Sequence, residues 1–457
     1  MSDDLQNLEM SDVDADRPSQ TDDIELRRSQ QLEFLLTVLQ SFNESNGNPD
    51  IIYPLLCQNL ELLDFNIIEV LKNWATAKLS KVARDLQEAI ATDIFNFGNL
   101  IQQFPLGNKA VNMEWSIECC LLALKIFTVS EHNENWSAVQ HNLATAYTER
   151  IRGNRAENLE RAIECYHAAL DVQTQADSPV AWAMTKNNLA AAYSKRIRGD
   201  RAENLERAFD YYWAALEVTN QADFPLEWAM TQSNLAVVYS ERVKGDRVEN
   251  LERSIECCLA ALEVYTEADV PIDWAMTQNN LAITYSKRIK GDRAENLNRS
   301  IECYRAVLKV YTPESFPREW ANIQVNLARF SIEILRDYQV ATEHLQSSCE
   351  HLLDNNSDTG LLAETMFELA RCFHQTGCLG QAKIYFKDSI RLYQRLENFT
   401  QVAAVTSALG NLELQMGCID DARIHLQTAL EFYQAAGNLT RVASIQELQQ
   451  CLPEPAI

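Results

Sequence analysis

A tryptophan returns every 46 residues along this chain, at Trp136, Trp182, Trp228, Trp274 and Trp320, and its surroundings return with it. Asn142, Asn188, Asn234, Asn280 and Asn326 keep the same step, as do Gly153, Gly199, Gly245 and Gly291. A fixed period in this range marks a solenoid, in which each supersecondary unit buries its apolar face only against the next. The composition of 13 Gly, 11 Pro and 46% hydrophobic residues suits long helices, so the predicted class is all-α. Such a body has no single central core and offers an extended concave surface for holding another molecule.

Each unit reads as two antiparallel helices. In the copy beginning at Asp177, that residue is the expected N-cap and Pro179 lies in the first turn. Trp182, Leu189, Tyr193 and Arg196 then share one side at helical spacing. Gly199 is the expected left-handed stop, and Asp200 with Glu203 forms a capping box for the next helix. Asn154/Glu157, Asp246/Glu249 and Asp292/Glu295 repeat that box, and a two-residue break turns the helices back to back.

The register opens before the first tryptophan, since Gly107 stands one period before Gly153 and Phe97 aligns with Leu143. The 46-residue units are thus expected over 90–335. From 336 to 457 come a transitional unit around Leu327 and Ala341, repeats of about forty residues (Leu369, Ala370 and Phe373 recur as Leu409, Gly410 and Glu413) and a capping helix near Thr440 to Gln450. Residues 1–23 are acidic, without periodic apolar positions, and read as a disordered tail. Residues 24–89 read as non-repeating helices capping the first repeat, with a separate partner-binding role as the alternative.

A net charge of −25 argues against a nucleic-acid partner and disfavours an anionic membrane surface. The twelve cysteines form no CxxC pair; Cys119, Cys165, Cys257 and Cys303 recur as small apolar core residues, and reduced thiols point to the cytoplasm. No signal peptide or membrane span is expected. Cys372, His374 and Cys378 cluster without a zinc pattern, and there is no phosphate loop or nucleophile motif, so neither an enzyme nor a cofactor is expected.

The units resemble tetratricopeptide repeats. Leu189, Ala190 and Tyr193 match the large–small–aromatic positions of that family's first helix, and Ala208, Tyr212 and Ala215 the small–aromatic–small positions of its second. Leu369, Ala370, Phe373, Ala382, Phe386 and Ser389 match the ordinary spacing closely. The resemblance covers roughly 90 to 450 and implies a right-handed superhelix. The 46-residue units exceed the usual length, and the extra residues between Tyr193 and Ala208 are expected to lengthen both helices. The NNLA stretches at 187–190 and 279–282 resemble kinesin light chain repeats, in which helix-A asparagines grip an extended peptide. The segment IRGDRAENLERAI resembles bacterial repeats fused to caspase-like CHAT proteases; with no such domain in this sequence, that activity is not expected.

The asparagine row is the candidate site. Asn142, Asn188, Asn234, Asn280 and Asn326 each precede a core leucine, with Asn187 and Asn279 beside two of them. Asparagine is a poor mid-helix residue, so its repeated use needs compensation. Each amide matches a peptide's donor and acceptor groups, and at ~1 kcal/mol net per bond several rungs give roughly micromolar binding. The alternative is a structural row in which each amide bonds the next helix or a trapped water; the two are compatible. One heptad on, Glu149, Lys195, Glu241 and Lys287 alternate in sign, as ion pairs between helices or as a selective groove wall above Thr145, Ala191, Val237 and Ile283. Arg150, Arg196, Arg242 and Arg288 are expected to pair with Glu157, Glu203, Glu249 and Glu295 across the turn, or to attract an acidic ligand. The tryptophans are read as packing between units. Two functions follow: a scaffold holding an extended peptide or partner segment, or a peptide-responsive bacterial regulator whose array changes curvature while the N-terminal helices give the output.

Overall fold

The protein is known from a computed structural model, which describes residues 20–355 and 358–450. The tail expected at 1–23 lies almost wholly outside the described residues, whereas the capping helix expected near Thr440 to Gln450 lies within them. Among those described, every regular element is helical. The N-terminal region holds α1 (Gln20–Glu44), α2 (Pro49–Cys57) and α3 (Asn66–Leu79). Helix pairs follow: α4 (Arg84–Gln103) with α5 (Lys109–Ala123), α6 (Asn133–Glu149) with α7 (Arg155–Leu170), and α8 (Pro179–Lys195) with α9 (Arg201–Leu216). Next come α10 (Pro225–Glu241) and α11 (Arg247–Leu262), α12 (Pro271–Lys287) and α13 (Arg293–Val307), then α14 (Pro317–Phe330) and α15 (Tyr338–Asn355). The C-terminal pairs are α16 (Thr359–Gln375) with α17 (Leu379–Arg395) and α18 (Phe399–Gln415) with α19 (Ile419–Ala435), closed by α20 (Leu439–Gln450).

The chain forms two compact units that divide within α10. One runs up to Asn234 and takes in Glu241–Lys244; the other comprises Leu235–Ser240 and Gly245 onward. Within each, consecutive helices pack as an α-solenoid. Leu189, Ala190 and Tyr193 of α8 and Ala208, Tyr212 and Ala215 of α9 are all buried, as small residues admit the neighbouring helix and the aromatics fill the space beside them. Gly98 marks a closer approach, since a Cβ there would lie 2.6 Å from the Cys119 Cβ. The tryptophans at 46-residue spacing are only half-buried, whereas Trp115 is fully enclosed with Phe97, their rings 5.5 Å apart and edge to face.

Several boundaries differ from the sequence reading. The stretch from Phe65 onward is broken at Ser80–Ala83, so the first repeat helix starts at Arg84 rather than near 90. Helices α1, α2 and α3 share one core with Phe97, Trp115, Cys119 and Leu122 of α4 and α5. Helix α8 has Ser178, not Asp177, at its N-cap; Asp177 instead accepts from the Thr174 hydroxyl at 2.6 Å in the preceding turn. The capping boxes are one-sided: Asp200 accepts from the Glu203 amide at 2.9 Å, but the Glu203 carboxylate turns to Arg207 at 2.6 Å.

The turn between paired helices is five residues, 196–200, rather than two. A side-chain clamp holds it. Arg196 donates two bonds to Glu160 on α7, at 2.8 and 2.7 Å, and one to Asn204 Oδ1 at 3.3 Å. Asn204, fully buried, donates to the Arg198 carbonyl at 2.9 Å. Gly199 takes φ of +80° at the apex, where a Cβ is strained. The same clamp recurs with Arg150, Glu114 and Asn158, and with Arg288, Glu252 and Asn296. The arginines therefore do not pair with Glu157, Glu203 or Glu295 across the turn; those carboxylates bond Arg161, Arg207 and Arg299 one helical turn on.

Extra length sits in the connections. A 46-residue unit has a seventeen-residue first helix, a sixteen-residue second helix and an eight-residue link at 217–224. The C-terminal units have two seventeen-residue helices joined by three-residue turns. In the last of these, Glu413 occupies the aromatic position of its helix and is fully buried, held by Lys383 at 2.8 Å and His425 at 2.6 Å.

Removing the amide of Asn204 strands the Arg198 carbonyl. Asn204→Ala is expected to destabilise by about 1–3 kcal/mol, whereas the exposed Asn135→Ala should be near neutral. Urea unfolding followed by circular dichroism checks this; equal midpoints for the two variants refute the clamp.

Candidate functional site

The helix-A asparagines project where the helical period puts them, one residue from the buried stripe. Asn142, Asn188, Asn234, Asn280 and Asn326 are half-buried, each followed by a buried leucine. Asn187 is different: it is buried, so it supports the row from beneath and does not line an open surface. Asn279, its counterpart, is half-buried. Beside the row, Met184 and Met276 stand one turn earlier and are exposed, while Thr145, Ala191, Val237 and Ile283 lie one turn later and are half-buried.

In the N-terminal unit the amides bond from helix to helix. Asn142 donates to Asn99 Oδ1 on α4 at 3.0 Å. Asn234 donates to Asn187 Oδ1 at 3.5 Å, Asn187 to Asn188 Oδ1 at 3.2 Å, and Asn188 meets His141 Nε2 at 3.3 Å. His141 Nδ1 lies 2.8 Å from the Thr185 hydroxyl, whose one proton is directed to Gln173 Oε1 at 2.7 Å or the Ala181 carbonyl at 2.9 Å. The hydroxyl must then accept from the ring. That assigns the proton to Nδ1 and leaves Nε2 to accept from Asn188. The arrangement compensates the asparagines in mid-helix, as the structural alternative requires. It leaves Asn142 Oδ1 without a protein donor among the described residues.

The charged row is less regular than its sequence. Glu241 pairs with Arg201, within the N-terminal unit. Lys195 is exposed by surface area, yet loss of surrounding water lowers its pKa; Arg155 adds to that and Glu149 opposes it. Glu149 and Lys287 are exposed and make no ion pair among the described residues. The arginine stripe is consumed by the clamps: Arg196 holds Glu160 below the usual carboxylate range, first through its hydrogen bonds.

A cavity of about 560 Å³ in the C-terminal unit escaped the sequence reading. Arg329, Phe367, Glu368, Arg371 and Asn411 line it, beside a π-helical segment at Ser331–Leu335. Its arginines are engaged, Arg329 with Glu364 and Arg371 with Glu368 at 3.0 Å. The signal available was the loss of the 46-residue step between Leu327 and Ala341.

A tetratricopeptide-repeat family model matches residues 136–179, 182–212 and 274–315. No curated protein matches at a significant level. Among solved structures, a signal transduction ATPase with numerous domains and a tetratricopeptide-repeat sensor, from Pyrococcus horikoshii, is similar at 13% identity with a TM-score of 0.53. That match covers 79% of this chain but 50% of the ATPase, so the chain spans about half its length. A Rap protein complexed with competence and sporulation factor is similar at 12% identity, TM-score 0.43, covering 84% and 96% of the two chains. BtubC from P. vanneervenii matches at 18% identity, TM-score 0.31, covering 63% and 94%. By the family model the three matched stretches are tetratricopeptide repeats, and the first of these solved structures shares the fold of paired helices.

Burial lowers the His141 pKa to about 4, and burial also lowers those of His167 and His344. A histidine depressed on folding contributes stability fully present above its unfolded value of about 6.5 and lost as pH falls toward the folded one. Stability should therefore decline between pH 6.5 and 4, and His141→Gln should flatten part of that slope. Thermal unfolding across this range measures it; an unaltered slope refutes the assignment.

Proposed function

We propose that this tetratricopeptide-repeat protein is an interaction scaffold that holds an extended segment of a protein partner along its helix-A faces. The observation that carries the reading is the half-exposed amide row, flanked on one side by methionines and on the other by small or aliphatic residues and then charges. Asn142, Asn188 and Asn234 in the N-terminal unit, and Asn280 and Asn326 with Asn279 in the C-terminal one, supply backbone-directed hydrogen bonds, and Asn187 orients Asn188. Met184 and Met276 offer adaptable apolar contact. Glu149, Lys195, Glu241 and Lys287 select among side chains by charge. The row's internal bonds fit this role, since amides already oriented toward the surface lose little freedom on binding. Lys195, its pKa lowered by desolvation, gains from a carboxylate placed beside it.

The other reading, a peptide-responsive regulator with α1–α3 as output, finds less support. Those helices share a core with α4 and α5, which favours a cap on the first repeat. Burial pushes the Cys120 and Cys257 thiols up to about 12, so they are poor nucleophiles. No helix among the described residues is long and apolar enough to cross a membrane.

Replacing Asn188, Asn234 and Asn280 together with Ala should abolish most peptide binding, by about ten- to a hundredfold in affinity, with helix content unchanged. A displayed library of unstructured peptides, selected on the wild type and counter-screened on the triple variant, reads this directly. Hits that bind both equally refute the amide row as the site. Scattering profiles with and without a selected peptide separate scaffold from regulator, because only the regulator changes curvature.

A further inference from the structure

One edge of the array carries a pattern that the groove does not use. Five first helices are followed by an aliphatic–cation pair: Ile151–Arg152, Ile197–Arg198, Val243–Lys244, Ile289–Lys290 and Leu335–Arg336, all one 46-residue step apart. Ile151 and Ile197 are each 60% exposed, Val243 74%, Ile289 58% and Leu335 66%. Scattered apolar residues on a surface are ordinary. The same position is exposed in five successive repeats, and three of those residues, Ile151, Ile197 and Val243, belong to the N-terminal unit.

The loops that present these side chains are fixed. The Arg–Glu–Asn clamp immobilises the backbone around Ile151, Ile197 and Ile289, and Gly153 and Gly199 set its turn at φ +80°. Successive loops in the N-terminal unit are also tied together, because the clamp of each reaches the preceding helix B, as Arg196 reaches Glu160 and Arg242 reaches Glu206. Preorganised apolar groups in register are what a docking surface needs, since little ordering remains to be done on binding.

Charge names the occupant. The loops read RIRGNR at 150–155, RIRGDR at 196–201, RVKGDR at 242–247 and RIKGDR at 288–293; the first arginine of each is held by a glutamate of the preceding helix B, which leaves Arg152, Arg198, Lys244 and Lys290 as the cations beside the exposed aliphatic residues. Arg152 lies over the exposed Phe65 ring at 4.2 Å, and Lys244 reaches Glu206 at 3.7 Å, while each cation follows its exposed aliphatic residue directly in the chain. We propose that this edge, through Ile151, Ile197 and Val243 with Arg152, Arg198 and Lys244, docks an acidic amphipathic segment of another protein. Its aliphatic side chains meet the isoleucines and valine, and its carboxylates meet the cations. An anionic membrane is the less favoured occupant. The three apolar positions of the proposed surface are isoleucine and valine, not the tryptophan that anchors interfacial surfaces, and the chain's overall charge opposes approach to a bilayer.

The test uses the full chain and a labelled peptide of roughly 20 residues, about 30 Å as a helix, made of Glu with Leu and Ile at helical spacing. Fluorescence anisotropy should show binding that weakens as salt is raised. The triple variant Ile151→Ser, Ile197→Ser, Val243→Ser and the single variant Arg198→Glu should each bind about tenfold more weakly or worse. Because the altered side chains are solvent-facing, both variants should keep wild-type helix content and melting temperature. The groove variant, Asn188, Asn234 and Asn280 to Ala, should bind this peptide as the wild type does, so this proposal and the groove reading fail separately. Absence of binding to the wild type, or equal binding by the edge variants, overturns the proposal. So does association with phosphatidylserine-containing vesicles in place of the peptide, which assigns the edge to a membrane.

Discussion

One guanidinium in each long unit joins three parts of the chain. Arg196 closes helix α8, grips Glu160 on the preceding helix α7 through two bonds, and steadies Asn204 at the start of α9. Most of a solenoid's packing is non-directional and tolerates sliding. A bidentate Arg–carboxylate pair does not, since its planar fork has one good geometry. The pair is partly sheltered from solvent, with side-chain exposures of 23% and 19%, so its attraction is less screened than that of a surface pair. Repeated at Arg150, Arg242 and Arg288, it sets the angle at which one pair of helices receives the next.

The helices themselves were legible because each carries its own evidence. Leu189, Ala190 and Tyr193 recur at a spacing that only a helix places on one face, and all three are buried. Glycines at positive φ and capping aspartates fixed where the chain turns. What misled was partner choice. Glu203 lies seven residues from Arg196 and made a natural local partner, yet the arginine reaches a carboxylate 36 residues back, because the neighbouring helix stands closer than the far side of its own turn. Local sequence carries no sign of that distance. The buried Asn158, Asn204 and Asn296 form a second asparagine series, but an asparagine within a charged segment reads from sequence as solvent-facing.

The candidate site was legible in position but not in state. Placing Asn142 and Asn188 one residue from the core stripe correctly left them half-exposed, whereas Asn187, two residues away, is buried. The His141, Thr185 and Gln173 partners could not be inferred, because they come from three separate segments and His141 and Gln173 do not repeat at the 46-residue step. The cavity beside Arg329 and Asn411 was hidden for a related reason: it arises where periodicity fails, and periodicity was the source of every other inference.

The row from Asn234 through Asn187 and Asn188 to His141 has a direction. Each amide gives its proton one way and receives from the other side. A row built like this has no neutral setting for a single member. If the imidazole at its end acquires a second proton, Asn188 must rotate to present oxygen, and Asn187 and Asn234 must follow or face like against like. Three helices are thus polarised in common, and a change of sign at one terminus is felt as a reorientation at the other.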